Sequence, residues 1–323
     1  MSILSSKNSL KNKPAHNFSQ KISQPTSTVI VCSSDLVEFI SSLWGLGILL
    51  QYYAKPIIIL PDREWQKYIK RLYPECDYSV ATLTEFMMNK DISSFELIIL
   101  LTCNLAKDVR SAPNKIPNAV IAGTSDFRDI HVLNCIICVN ELQSRYYQYF
   151  SFATQLTGIL EDWESYIKKF KFITDENTIP QKMGMICIDI SNGIFDTQFS
   201  KKLIYELVNG LQKSFPIEII LIDSDRDYYS KLSDKKFKKK PELLIIDDCY
   251  KSVEILKSTR LLISPNAPIV HCMQYTSVPT FCIIASHERR YLSKRSKNHI
   301  HVVQRFSGLK AKNILPDIKE ILK

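Results

Sequence analysis

The sequence predicts an α/β protein built from two parallel βαβ halves, and three observations predict it. Short, unbroken apolar runs alternate with segments of helical period, which is the pattern of parallel strands buried on both faces. The alternation stops at Thr174–Lys182 (TDENTIPQK) and then begins again. The chain has 323 residues, enough for two domains at about 100–200 residues each.

Taken in order, residues 1–27 are rich in Ser, Asn, Lys and Gln and poor in apolar residues. They are expected to form a disordered basic tail. TVIVC, from Thr28, is a β-branched run and reads as the first strand. SSDLVEFISSLWGLGILLQYY reads as a helix, PIIIL (Pro56–Leu60) as a strand and REWQKYIKRLY as a helix. FELIILL (Phe95–Leu101), AVIAG and CIICV read as further strands. Leu142 to about Phe172 is helical and aromatic-rich and completes an N-terminal domain over 28–172. A linker is expected over 173–182.

The C-terminal domain, 183–323, repeats the pattern. MGMICIDI is a strand, KKLIYELVNGLQKSF a helix and IEIILID a strand. After the basic stretch KKFKKK (Lys235–Lys240), LLIID is a strand, SVEILKSTR a helix and LLIS a strand. IVHCMQYT is a helix, TFCII and HIHVVQ are strands, and AKNILPDIKEILK is a final helix. Ligands of such sheets bind outside the carboxyl ends of the strands, so the expected site is the cleft between the domains.

Composition narrows the partners. Lys plus Arg is 42 against 33 Asp plus Glu, a net charge of +9. That suits an anionic ligand, a nucleic acid or an anionic membrane without choosing among them. The sequence carries no nucleic-acid-binding motif, so no specific nucleic-acid partner is expected. Most of the nine cysteines sit inside apolar runs, the habit of buried free thiols in a reducing compartment. Cys135-x-x-Cys138 has the spacing of a metal knuckle, but it lies in a run read as a buried strand and has no second pair. Asp223-Ser224-Asp225 ends a strand and reads as a turn. No metal site is expected at either place. No apolar run reaches the roughly 18 residues of a membrane span, and the N-terminus lacks the apolar core of a secretory signal. The expected place is the cytoplasm, with contact at most peripheral at the inner face of the membrane. KKFKKK reads as a solvated loop, with an anionic membrane as its alternative partner.

LLISPNAPIVHCMQYTSVPTFCII (Leu261–Ile284) resembles the donor-binding core of the heptosyltransferase family, where a strand, an Asp-Ser/Thr-Gly-x-x-His turn, a helix, Val-Pro and a strand follow one another. The corresponding residues are Asn266-Ala267-Pro268-Ile269-Val270-His271, then Val278-Pro279. VIVCSSDLVEFISSLWGL is similar to the family's N-terminal strand, Ser-rich turn and helix, and FELIILLTCNLAKDVRSA to its central strand and Lys-bearing loop. The resemblance implies a GT-B fold: two Rossmann-like domains facing a central cleft, the first on the acceptor side and the second binding a nucleotide sugar. It implies an inverting, metal-independent transferase with no cofactor beyond its donor substrate. The donor would be a nucleotide-diphosphate sugar, most simply ADP-heptose, and the acceptor a lipopolysaccharide core or another glycan or glycolipid.

The resemblance also implies roles for residues. Asp35 stands where the general base would take the acceptor's proton. Glu38, three residues on and on the same helical face, is its substitute. Asn266, Ala267, Pro268 and His271 would hold the donor at a helix start, with Asn266 as a favoured N-cap. Lys201, Lys202 and Arg289 would neutralise the leaving diphosphate, and Lys107 would meet an acidic acceptor. Each cation also reads more plainly as a solvated surface charge, Asp35 as an N-cap, and His271 as a core histidine. Asn266 stands for the family Asp, and Pro268, which has no N–H, for the family Gly. These two changes support an alternative: a catalytically degenerate relative that binds a nucleotide, a sugar or a partner protein.

Overall fold

The computed structural model describes residues 22–23, 25–88, 94–103, 119–125, 132–172, 184–192, 198–224, 226–246, 248–257, 259–286, 288, 292 and 298–323. The chain divides into two compact units, Met1–Lys171 and Phe172–Lys323. The linker expected over 173–182 lies outside the described residues, as does most of the expected tail. The end of that tail is held to the first unit. Tyr52 and Tyr53 donate their hydroxyls to the carbonyls of Ser23 and Ile22, and the Thr26 N–H donates to Glu96.

The first unit is a six-stranded sheet with the order β3-β2-β1-β4-β5-β6. Its strands are β1 (Thr28–Cys32), β2 (Ile57–Leu60), β3 (Ser79–Thr82), β4 (Leu97–Leu101), β5 (Val120–Thr124) and β6 (Cys135–Ile137). Every pairing is parallel. All residues of β1, β4 and β5 are buried, because helices cover both faces, and this is why these strands are unbroken apolar runs. Each fully buried Val, Ile or Leu contributes about 1.5–3 kcal/mol relative to an exposed one. The helices are α1 (Leu36–Tyr52), α2 (Gln66–Leu72), α3 (Leu83–Met88), α4 (Arg145–Thr157) and α5 (Trp163–Lys169).

α1 is apolar on all sides and buried from Phe39 to Leu50, as a helix inside a core must be. It packs on α4 through Gly45. A Cβ there would meet the Tyr149 carbonyl oxygen at 2.5 Å. The aromatic segment expected as one helix is two. Gly158 closes α4 in the left-handed region, at φ 73°, a conformation open to glycine at no steric cost. β3 and α3 lie in a stretch for which the sequence predicted no element.

The second unit is also six-stranded, with the order β12-β11-β10-β7-β8-β9. Its strands are β7 (Ile186–Asp189), β8 (Ile219–Asp223), β9 (Glu242–Ile245), β10 (Leu261–Pro265), β11 (Thr280–Ala285) and β12 (Asn298–Val303), all paired in parallel. The helices are α6 (Lys201–Ser214), α7 (Cys249–Leu256), α8 (Pro268–Met273) and α9 (Ala311–Ile321). Ile188, Leu207, Leu221, Ile263 and Ile314 are among the residues of its core. Read from its far edge, this sheet runs third, second, first, fourth, fifth, sixth strand of its unit, as the first sheet does. That is the Rossmann order, in which the sequence reverses direction between the first and fourth strands and opens a crevice at their carboxyl ends.

Candidate functional site

Each unit has one such reversal point. In the first it lies between β1 and β4, where Cys32 is in register with Leu101. Ser33 and Asp35 follow β1, and Thr102 and Cys103 follow β4. Asp35 is the N-cap of α1, and its Oδ1 accepts the Glu38 N–H at 2.8 Å. The residue is exposed, and its second oxygen has no protein partner among the described residues.

Glu38, half-buried on the first turn of α1, has a different surrounding. Its Oε1 accepts from the Cys103 N–H at 2.8 Å and the Tyr149 hydroxyl at 2.6 Å. Its Oε2 accepts from the hydroxyls of Ser33 at 2.5 Å and Thr102 at 3.3 Å. Ser33 in turn accepts the Asp35 N–H at 3.1 Å. Tyr149, buried on α4, has its phenol pushed well above the usual range, first by burial and then by the Glu38 carboxylate. It is therefore a fixed donor. The sequence brings forward Asp35 and Glu38 but not Thr102, Cys103 or Tyr149. The one signal for Tyr149 is a tyrosine on a buried, aromatic-rich helix, whose hydroxyl needs a partner.

In the second unit the reversal lies between β7 and β10. Asp189 ends β7, 1% exposed. It accepts from the Ser264 hydroxyl at 2.7 Å and the Ser191 N–H at 2.9 Å. Burial pushes its carboxyl above the ordinary range, against those two hydrogen bonds. Asp223 ends β8 and accepts the N–H groups of Ser224 and Tyr229. It holds a turn as the sequence indicates, while Asp225 lies outside the described residues.

After β10 the chain departs from expectation. Asn266 is not the N-cap of α8; Ala267 is, with no side-chain cap. The Asn266 Oδ1 instead meets His271 Nε2 at 2.9 Å. Both residues are 0% exposed, and the Asn266 Nδ2 is buried without a hydrogen-bond partner among the described residues. Burial pushes the His271 imidazole down to about 3, so it is neutral and donates Nε2–H to Asn266. A charged His271 contact to phosphate does not fit this geometry. The start of α8 is also poor in free donors. Pro268 has none, while the Ala267 and Val270 N–H groups bond to Pro265 and Ala267 carbonyls.

Lys201 and Lys202 are exposed on the first turn of α6, where Ser200 caps Leu203 N–H. Lys202 makes a 3.9 Å pair with Glu206, 82% exposed on the lysine side, a contact worth little in water. Lys107 and Arg289 lie outside the described residues. Cys135 is buried and Cys138 exposed, so the second cysteine leaves the buried strand in which the sequence placed it. Among the described residues there is no group of three or more His, Cys, Asp or Glu that could hold a metal.

No protein-family model matches the chain, and no curated protein matches it in sequence. Solved structures do match in shape. A glycosyl transferase of family 9 from Veillonella parvula aligns over 92% of this chain and 97% of its own, with a TM-score of 0.70 at 9% identity. The E. coli heptosyltransferase WaaC, solved with ADP, aligns over 92% and 100%, with a TM-score of 0.68 at 12% identity. E. coli ADP-heptose lps heptosyltransferase II aligns over 92% and 98%, with a TM-score of 0.64 at 11% identity. Alignment over both units and nearly the whole of each neighbour, together with two parallel sheets in Rossmann order, gives the chain the GT-B fold of the glycosyltransferases.

Proposed function

We propose that the protein is an inverting glycosyltransferase that takes a sugar from a nucleotide-diphosphate donor, with heptose from ADP-heptose as the simplest case. The observation that carries the reading is the exposed Asp35 carboxylate at the reversal point of the first sheet, on a fold whose solved neighbours include a heptosyltransferase with ADP and one with ADP-2-deoxy-2-fluoro heptose. The free oxygen of Asp35 takes the proton of an acceptor hydroxyl. The hydroxyl oxygen bonds to the anomeric carbon as the bond to the diphosphate breaks, with inversion, and the nucleoside diphosphate departs. Lys201, Lys202 and Arg289 offset its charge, with Asn266, Ala267, Pro268 and His271 shaping the turn beside it. This scheme needs no metal or cofactor. The acceptor is a glycan or glycolipid such as a lipopolysaccharide core, met by Lys107.

A cytoplasmic protein in peripheral contact with the anionic inner face of the membrane fits this acceptor. Among the described residues no helix is long and apolar enough to cross a membrane. The exposed lysines of KKFKKK are a candidate contact. Asn209 pins that loop's backbone through Lys236 and Lys238, and Gln212 through Lys239.

The test is thermal stabilisation by ADP, UDP, GDP, CDP and their sugar conjugates, followed by transfer. A nucleotide at a hundred times its Kd adds about 2.7 kcal/mol. One nucleotide should shift the wild type selectively, and Asp35→Asn should keep that shift while losing about 100- to 10,000-fold in turnover. The second reading, a binding module without turnover, is favoured by the closed Asn266–His271 pair and the donor-poor start of α8. Nucleotide binding with no sugar released to water or acceptor would select it.

A further inference from the structure

We propose that Glu38 is a positioning residue: its carboxylate ties the Ser33–Asp35 turn to the end of β4 and to α4, and so presents Asp35 in one place. The proposal rests on the glycosyl-transfer reading, since Asp35 is that reaction's base. Three separate parts of the first unit converge on this one side chain, the loop after β1, the loop after β4 and the middle of α4. An ionised carboxylate has about four acceptor directions, and here Ser33, Thr102, Cys103 and Tyr149 supply four donors. None is left for an acceptor hydroxyl. The Cys103 donor is a backbone N–H and cannot rotate away.

Both ends of Asp35 answer to Glu38. The Glu38 N–H holds the Asp35 carboxylate, and the Asp35 N–H bonds to Ser33 Oγ, which donates onward to Glu38 Oε2. In an ordinary capping box the carboxylate at the third helical residue bonds the cap N–H directly. Here Ser33 is inserted into that link, and the displaced carboxylate reaches the β4 loop and Tyr149. The cap of α1 is thus fastened to the sheet and to a second helix. Gly45 lets α4 approach near enough for Tyr149 to reach, since any larger residue would meet the Tyr149 backbone.

The experiment compares the full-length wild type with Glu38→Gln, Tyr149→Phe and Asp35→Asn. The readouts are ADP release from ADP-heptose across pH and hydrogen exchange at the amides of Asp35 and Cys103. Glu38→Gln should lower kcat by about 100-fold, the scale of a misplaced catalytic group, with KM for the donor unchanged. Its acid limb of the pH profile should remain, whereas Asp35→Asn removes it. Amide exchange at Asp35 and Cys103 should speed up at an unchanged melting temperature. Tyr149→Phe, which keeps the charge and removes one donor, should show the same pattern at about tenfold, and it serves as the reporter if Glu38→Gln fails to fold. Loss of the acid limb in Glu38→Gln would make Glu38 the base and overturn the proposal, as would wild-type kcat and exchange in both variants. Faster exchange in the variants with no ADP release from the wild type would leave the lock standing and remove the transfer reading instead.

Discussion

His271 is held neutral by burial. It is fully buried, its Nε2 faces the Asn266 amide oxygen, and burial pushes its pKa down to about 3, below the ordinary imidazole value of about 6.5. The sign of the consequence follows from linkage. The unfolded chain binds a proton at this histidine below about 6.5 and the folded chain does not, so stability is present above that pH and falls as pH drops. The slope is about 1.4 kcal/mol per pH unit through the window from 6.5 toward 3. Asp189 acts the other way, since its raised folded pKa adds stability as the medium becomes acidic. Denaturant unfolding at pH 6.5, 5.5 and 4.5 should show the histidine slope, and His271→Gln, which keeps a donor for Asn266, should flatten it. An equal slope in both proteins would mean that His271 is not the buried neutral group described. The core-histidine reading was available from the sequence, because a lone His in an apolar helix is usually satisfied inside. The partner was not: Asn before a Pro-initiated helix reads as a cap, and only the fold shows its oxygen turned to His271. Asp35 and Glu38 were legible together by their three-residue spacing at a helix start. Three of the four donors on Glu38 stand 64 or more residues away in sequence, beyond any local pattern.

α1 and α4 pack closely, and Gly45 sets their distance. At Gly45 a Cβ would strike the Tyr149 carbonyl at 2.5 Å, and at Gly47 it would strike the Tyr73 ring at 2.2 Å. The obstacle at Gly45 is backbone, so a side-chain rotation cannot relieve it; α4 must move. Gly45→Ala is therefore expected to destabilise by about 1–3 kcal/mol, the range for overpacked cores. It should also draw the Tyr149 hydroxyl off Glu38. Urea unfolding measures the first effect and amide exchange at Cys103 the second. Gly308, with nothing within 4 Å of its added Cβ, is the control and should tolerate Ala. The same level shows why some elements were readable and others not. β1, β4, β10 and β11 are buried along their whole length, so their sequences are dominated by apolar residues. β3 lies at a sheet edge, with its first residue exposed and the others half-buried. SVAT carries neither a long apolar run nor clear alternation, and it went unpredicted. The 142–172 segment kept its helical period across the break at Gly158, where a single left-handed glycine ends one helix.

At the scale of the chain, the same strand order occurs twice, and each copy has its own interior. Val29, Ile59, Leu100 and Ile121 pack together within the first unit, while the core of the second, from Ile186 to Leu322, draws on residues of that unit alone. Phe172 marks the start of the second. Its N–H donates to the Tyr275 carbonyl at 2.9 Å, and its ring lies 4.9 Å from that of Tyr275. A fragment beginning at Phe172 therefore keeps a closed core and this clamp, and it falls within the size at which single domains fold alone. It should unfold in one cooperative transition, by circular dichroism in urea. If the second unit holds the donor, the fragment should also retain the nucleotide-induced stabilisation of the full chain, about 2.7 kcal/mol at a hundred times Kd. Asp35 is not needed for that shift, so its removal with the first unit should abolish transfer and leave binding. A fragment that folds but responds to no nucleotide that stabilises the full chain would move the donor's main contacts out of the second unit. The Asn266–His271 turn would then be a structural join between β10 and α8.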